Sequence, residues 1–104
     1  MVDDCSGDRT VDIVSQLAGR SSSPIRIIRL EQNSGGPARP INVGVEAAGF
    51  DLIAVLGQDD HMAPTRVATS AEAGDRFPTA GLICGRVRLV APGGGLRVGL
   101  WPGG

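Results

Sequence analysis

The chain has 104 residues and a formal net charge of −1, with 10 basic residues against 11 aspartates and glutamates. A chain of this length forms at most one small domain with a limited core. Its near-neutral charge argues against nucleic acid and anionic membranes as partners. Every basic residue is an arginine, so any mechanism that needs a lysine is excluded. Aromatic residues make up 3% of the chain, so the core must rest on aliphatic side chains.

The first part of the chain shows short strand and helix patterns in alternation. Met1 and Val2 are predicted to end a strand, which the polar residues 3–7 interrupt. Apolar residues at helical spacing then predict a helix to about Ala18, with Asp8 and Thr10 as candidate N-caps. Residues 25–30 are β-branched, short and bounded by breakers, which predicts a strand.

The middle of the chain continues this alternation. After a polar, glycine-rich loop, a helix is predicted over residues 38–48, with a proline tolerated in its first turn. Residues 51–56 are almost all apolar, which is typical of a strand that is buried on both faces. Another short helix is predicted from Pro64 to about Ala73, closed by Gly74.

The end of the chain carries one more predicted strand and a tail. Alternating residues predict a strand over residues 80–90. The last dozen residues hold six glycines, so residues 91–104 are predicted to form an irregular tail, either a ragged hairpin or disordered. Residues 1–90 are predicted to form one α/β layer, with a mainly parallel sheet and flanking helices. Because the sheet starts with a two-residue strand, we expect the chain to be a fragment of a larger domain.

The cysteines and the apolar runs bear on where the protein is found. Cys5 and Cys84 are far apart and share no metal-ligand spacing, which favours two reduced thiols in a cytoplasmic protein. The sequence shows no signal peptide. Its longest apolar stretch, residues 52–56, is far too short to cross a membrane. We therefore expect a cytoplasmic chain with no membrane segment.

Two acidic pairs, Asp3-Asp4 and Asp59-Asp60, each follow a predicted strand. Open α/β sheets bind ligands beyond the carboxyl ends of their strands, so the two pairs are predicted to line one cleft. Asp3 or Asp4 would accept hydrogen bonds from a base or ribose, and Asp59 and Asp60 would hold a divalent cation. Such acids also act as helix caps and turn formers. The structural role is favoured for either pair alone, and the functional role for both in this order.

A second candidate site is the loop that contains Gly35 and Gly36. Its glycines would let the backbone approach a ligand, and Arg39 would reach a phosphate group. The alternative, a strand-to-helix connection that needs a positive φ, is at least as well supported. His61 stands beside Asp60, but a solvent-exposed loop histidine is favoured over a metal ligand there.

Several of these segments together resemble the donor-binding part of a family-2 glycosyltransferase with the GT-A type, Rossmann-like fold, truncated at both ends. The resemblance runs from Val2 to about Leu89. Its marks lie in residues 2–10, 28–33, 35–37 with Asn42 and Gly44, 58–60 and 62–64.

The resemblance implies a role for each pair. Asp4, with Asp3 beside it, would recognise the base of a nucleotide sugar. Asp59 and Asp60 would hold Mn²⁺ or Mg²⁺ and the sugar diphosphate, and Arg39 would contact the nucleotide.

The chain departs from the family pattern at two of these places. Gly57 stands where the commoner motif has another acid, which would weaken metal binding. Ile41 stands where an arginine often precedes the Asn42 position, and this makes Arg39 a doubtful substitute.

The resemblance implies transfer of a glycosyl group from a nucleoside-diphosphate sugar to a hydroxyl of an unknown acceptor, such as a glycan, lipid or protein. The family's catalytic base would lie beyond Gly104, so no catalytic residue is assigned and the fragment alone is not expected to catalyse. Two alternatives stay open. A receiver-type signalling domain also has an acidic pair after an early strand, but Gly57 stands where its phosphoacceptor acid would be. The other alternative is a non-functional remnant of a glycosyltransferase.

Overall fold

The computed structural model describes residues 1–90, 93 and 96–97. The chain divides into two compact units, the first being Met1–Asp60 and the second beginning at His61. The elements in chain order are β1 (Val2–Asp3), α1 (Thr10–Ala18), β2 (Ile28–Arg29), α2 (Ala38–Ala47), α3 (Arg66–Arg76), β3 (Leu89–Val90) and β4 (Leu96–Arg97). This mixture of helices with a small parallel sheet confirms the predicted α/β class.

The sheet of the first unit places the strand-end aspartates. Strands β1 and β2 are parallel, with Val2 opposite Ile28 and Asp3 opposite Arg29. The ladder continues past the strand ends, because the Leu30 NH donates to the Asp3 carbonyl at 2.9 Å. Since β1 ends at Asp3, Asp4 is the first residue beyond its carboxyl end.

Helix α1 has the predicted bounds, and its start depends on an aspartate that precedes it. The hydroxyl and the backbone NH of Thr10 donate to Asp8 Oδ1 at 2.6 and 2.9 Å. These two hydrogen bonds hold the pKa of the Asp8 carboxyl below its ordinary value, and the bond from the Thr10 hydroxyl has the larger effect. Asp8 thus accepts the Thr10 NH, one of the NH groups that the first turn of a helix leaves without a partner. The prediction of Asp8 or Thr10 as the N-cap is wrong, because the N-cap residue is Arg9, whose side chain makes no capping hydrogen bond.

Helix α2 ends one residue before its predicted end and packs closely on β1. A methyl group at Gly44 would lie 3.3 Å from Val2 Cγ2, so glycine lets the helix backbone approach the strand. At the other end of the helix, the Arg26 guanidinium donates to the Ala47 carbonyl. A cation at the last turn also interacts favourably with the helix dipole.

The strand predicted over residues 51–56 is wrong, because the structure has no strand there. Val55 and Leu56 are more than half exposed. An apolar run reports what a segment gains from burial, but a strand also needs a neighbouring backbone to accept its hydrogen bonds. Within residues 1–60, all of which are described, no strand pairs with this run. The strand predicted over residues 25–30 is also shorter, being Ile28–Arg29.

The second unit differs from its prediction at both elements. Helix α3 begins at Arg66 rather than Pro64 and continues through Gly74 to Arg76. Gly74 therefore does not close the helix as predicted; a methyl group at this position would lie at van der Waals distance, 3.7 Å, from Ile83 Cδ1.

The strand predicted over residues 80–90 is reduced to β3, which pairs antiparallel with β4. The β4 residues fall in the predicted tail, and the pairing agrees with its hairpin option. The rest of that tail, apart from residue 93, lies outside the described residues.

Few side chains are removed from solvent in the described part of the chain. There, Leu30 is the buried apolar residue and Asp3 the buried polar one, at 9% and 3% exposure. Phe50 and Leu82 are among many large apolar side chains that are exposed. No helix of the described residues has the length and apolar character needed to cross a membrane.

Candidate functional site

The carboxylate of Asp3 is enclosed by protein groups at the end of β1. Its side chain is 1% exposed, and Oδ2 lies 3.4 Å from Arg29 Nε. The same oxygen accepts the Ser6 NH at 3.2 Å, while Arg29 Nη2 donates to the Ser6 carbonyl at 2.9 Å. Asp3 and Arg29 therefore hold the turn after β1 from both sides, and the Asp3 side chain presents almost no surface to a ligand.

Cys5 lies in this turn with an unusual backbone conformation. Its φ is 63°, in the left-handed region that residues with a Cβ seldom adopt. Such a conformation costs about 1–2 kcal/mol. The Cys5 thiol donates a hydrogen bond to the Glu31 carbonyl, with 3.6 Å between sulfur and oxygen. The contacts of Asp4 before Cys5 and of Ser6 after it keep the turn in place despite this strain.

The carboxylate of Asp4 is held by the loop that follows β2. The Ser34 NH lies 3.0 and 3.1 Å from its two oxygens, and the Ser34 hydroxyl lies 2.8 Å from each. Asn33 Nδ2 donates to the Asp4 carbonyl at 2.9 Å, and Asn33 Oδ1 accepts the Gly35 NH at 2.9 Å. Gly35 has a φ of 73°, which explains the glycine there. Asp4 is only half-buried, so a carboxylate of fixed orientation remains accessible at the strand end.

Arg39 lies next to this loop in sequence, in the first turn of α2. Its side chain is exposed, and it forms no ion pair among the described residues. The start of α2 follows Pro37 directly, and no side chain caps its first NH groups. A cation and uncapped NH groups at one helix end suit a phosphate group.

Asp59 and Asp60 lie in an exposed turn at the end of the first unit. The Asp60 NH lies 3.3 Å from the Gly57 carbonyl that it donates to. A methyl group at Gly57 would lie 2.6 Å from Asp60 Oδ2 and 3.7 Å from Asp59 Oδ1. Both carboxylates therefore bend back toward the space above Gly57, which the missing side chain leaves open. Among the described residues no cluster of three or more acidic, cysteine or histidine side chains is poised for a metal.

The structure gives each acidic pair its own surroundings. Within residues 1–60, no hydrogen bond or ion pair joins Asp3 or Asp4 to Asp59 or Asp60. The single cleft and the ligand roles of these residues stay predictions. His61 is exposed and belongs to the second unit. Neither Cys5 nor Cys84 forms a disulfide in the structure.

Sequence reasoning missed Ser34 and Arg29, which hold the two aspartates. Both contacts join residues about 26 to 30 positions apart, so no local pattern announces them. The only available signal for Ser34 was its place in a polar loop beside a glycine that needs a positive φ.

A shallow depression of about 260 Å³ lies in the second unit, along the last turns of α3. The Arg76 guanidinium covers the Phe77 ring there at 5.5 Å from its centroid. No residue predicted to bind a ligand lines this depression, which is formed by Thr69, Glu72, Ala73, Arg76 and Phe77. It is therefore no competitor to the strand-end loop as the candidate site.

Comparison with known proteins shows which family the chain resembles. The sequence model for Glycosyl transferase family 2 matches residues 1–96. The chain is 37% identical over 62 residues to the Poly(ribitol-phosphate) beta-N-acetylglucosaminyltransferase TarS of Staphylococcus aureus strain Mu50, covering 60% of this chain and 10% of that protein. It is 37% identical over 75 residues to the Succinoglycan biosynthesis protein ExoO of Rhizobium meliloti strain 1021, covering 72% of this chain and 20% of that protein.

The chain thus spans between a tenth and a fifth of the length of these curated relatives. No solved structure gives a significant match. The family model nevertheless covers most of the chain, including both acidic pairs and the loop that holds Asp4. The chain belongs to glycosyl transferase family 2.

Proposed function

We propose that this chain supplies the nucleotide-recognition part of a donor site, in an enzyme that transfers a glycosyl group from a nucleoside-diphosphate sugar to an acceptor hydroxyl. The observation that carries the proposal is the Asp4 carboxylate. It lies directly after a parallel strand, half-buried, with both oxygens oriented by Ser34. A carboxylate fixed in this way is an acceptor for the NH groups of a base. Membership of a glycosyltransferase family supports the same conclusion.

Within this proposal the two aspartates of the first pair have different tasks. Asp4 contacts the base, because its side chain is accessible. Asp3 keeps the loop in place through Ser6 and Arg29, since its own side chain is 1% exposed. Arg39 and the start of α2 face the charge of the diphosphate.

The second pair fits a hard divalent cation, Mg²⁺ or Mn²⁺. Asp59 Oδ1 and Asp60 Oδ2 both lie near the open space above Gly57, and both side chains are exposed. Magnesium is commonly held by one or two carboxylates, with water and substrate phosphates completing its shell. Two carboxylates without a third protein ligand are therefore enough. Such a cation would neutralise the diphosphate that leaves when the sugar is transferred.

The acceptor is proposed from the relatives alone. One is named for transfer of N-acetylglucosamine to poly(ribitol phosphate), and the other for succinoglycan biosynthesis. Poly(ribitol phosphate) and a glycan are both polymers with many hydroxyl groups, so we propose a polyhydroxylated polymer as the acceptor. No residue of this chain is proposed as the general base. The family match leaves the receiver-type alternative without support.

Calorimetric titration tests the donor-site proposal. UDP, GDP and ADP are titrated into the whole chain, with and without Mg²⁺. We expect Asp4→Asn to weaken binding about tenfold or more, since it removes a charged acceptor. The matched control is Asp12→Asn, which changes an exposed aspartate of α1. The double substitution Asp59→Ala plus Asp60→Ala should abolish the increase in nucleotide affinity that Mg²⁺ causes, and should leave binding without Mg²⁺ unchanged. Absence of binding to any nucleotide would contradict the proposal and favour a non-functional remnant.

A further inference from the structure

The contact between Ser34 and Asp4 has a geometry that restricts what else the carboxylate can bind. Both donors of Ser34 are equidistant from the two oxygens to within 0.1 Å, at 2.8 Å for the hydroxyl and 3.0 and 3.1 Å for the NH. Points equidistant from both oxygens lie on the plane that bisects the carboxylate. A donor on this plane that hydrogen-bonds both oxygens lies on the side of the carboxylate away from Cγ, so Ser34 occupies the direction from which a two-pronged donor would bind.

The Ser34 hydroxyl has one proton and two acceptor groups within reach, the Asp4 carboxylate and the Gly36 carbonyl. The Gly36 carbonyl lies 3.2 Å away, whereas the Asp4 oxygens lie at 2.8 Å. The shorter distance and the negative charge both favour donation to Asp4. The loop that presents this hydroxyl is itself fixed by the two hydrogen bonds of Asn33.

We propose that Ser34 is the positioning residue of the base-recognition site, and that it limits Asp4 to a base edge with a single NH donor. This inference rests on the donor-site function proposed above. With Ser34 between the two oxygens, only the outward lone pairs stay available, one on each side. An imide such as the N3–H of uracil needs one of them. The adjacent N1–H and N2–H of guanine would donate to both oxygens at once, and they would have to approach from the direction that Ser34 occupies.

The first arm of the test needs no nucleotide. Amide and carboxyl NMR signals are recorded for the isotope-labelled whole chain and for Ser34→Ala, Ser34→Thr and Asp4→Asn. We expect the Ser34 amide signal to move in Asp4→Asn. The Asp4 carboxyl signal should move in Ser34→Ala and return toward its original position in Ser34→Thr, which keeps the hydroxyl. The matched control is Ser15→Ala, since Ser15 donates its hydroxyl to the Val11 carbonyl within α1.

The second arm measures the dissociation constants of UDP and GDP for the same variants. Wild type should prefer UDP. Ser34→Ala should weaken UDP binding about tenfold and weaken GDP binding less, so that the preference falls. Ser34→Thr should restore both values. A variant that merely loosened the fold would weaken both nucleotides alike, so the ratio of the two constants separates positioning from general destabilisation.

The outcomes separate this inference from the function on which it rests. If UDP binds but its affinity and its preference over GDP are the same in Ser34→Ala, the positioning role is wrong and the donor-site function stands. The same holds if wild type binds GDP as tightly as UDP. If the Asp4 carboxyl signal is unchanged in Ser34→Ala, the contact itself is refuted. If the NMR changes occur but no nucleotide binds, both proposals are refuted.

Discussion

Two aspartate pairs of the first unit have the same two residues and opposite surroundings. At the end of β1, Asp3 is buried against Arg29, and Asp4 is held by Ser34. At the turn after Gly57, Asp59 and Asp60 are exposed, and the one hydrogen bond there comes from backbone. A carboxylate that is already oriented can select among bases, whereas two solvated carboxylates near an open space suit a hydrated cation. Under the proposed function, the same dipeptide would therefore serve base recognition in one place and charge neutralisation in the other.

The largest change in stability is expected when Asp3, the buried member of the strand-end pair, is replaced. Asp3→Ala leaves the Ser6 NH without its acceptor and Arg29 without its partner. We expect a loss of about 2–4 kcal/mol in the free energy of unfolding of the first unit, allowing for the half-exposed Arg29. Urea denaturation followed by circular dichroism measures it. Asp59→Ala is the matched control and should change stability by less than about 0.5 kcal/mol. Equal effects at the two positions would show that the pairs do not differ in their structural role.

The next effect is expected at Cys5, the strained residue between Asp4 and Ser6. Cys5→Val puts a β-branched side chain at a φ of 63° and should destabilise the chain by about 1–2 kcal/mol. Cys5→Gly removes the penalty on this φ and should leave stability equal or higher. The same denaturation experiment ranks the three proteins. If Cys5→Val proves as stable as wild type, Cys5 does not adopt this backbone conformation in solution.

Gly57 tests the role of the second pair, because it leaves open the space beside Asp59 and Asp60. Gly57→Ala fills the space toward which Asp59 and Asp60 bend, and a carboxylate must move because the methyl group would lie 2.6 Å from Asp60 Oδ2. Since the turn is exposed and the side chains can rotate, we expect a change in stability below about 1 kcal/mol. The dependence of nucleotide affinity on Mg²⁺ should fall, as calorimetry with a Mg²⁺ series can measure. An unchanged Mg²⁺ dependence would place the cation elsewhere.

The smallest effect is the pH response at the start of α1. Because the pKa of Asp8 is lowered in the folded chain, its contribution is present above the unfolded value of about 3.9 and is lost as the pH falls through the lower folded value. Helicity of α1 should therefore fall below about pH 4 in wild type. Asp8→Asn should show less of this acid-dependent loss, as amide NMR signals of α1 can report. Identical acid profiles would mean that the hydrogen bonds from Thr10 to Asp8 do not stabilise the start of the helix in solution.

The sequence predicts local elements here better than it predicts tertiary contacts. Helix α1 follows from its apolar spacing, and the strand before Asp4 follows from its position before a polar turn. Residues 51–56 mislead because their apolar character does not report whether a neighbouring strand is present. The Ser34 contact is invisible for a related reason, since it joins two loops 30 residues apart. The residues at the two acidic pairs could be named from motifs, but not which carboxylates are enclosed.

A map of amide chemical shifts during a nucleotide titration tests the central contrast most directly. UDP is added to the labelled chain first without and then with Mg²⁺. We predict that UDP alone moves the signals of residues 4–6 and 33–36, and that signals of Asp59 and Asp60 move only after Mg²⁺ is added. Signals that move first at Asp59 and Asp60, or at neither pair, would contradict the assignment of base recognition to the strand-end loop.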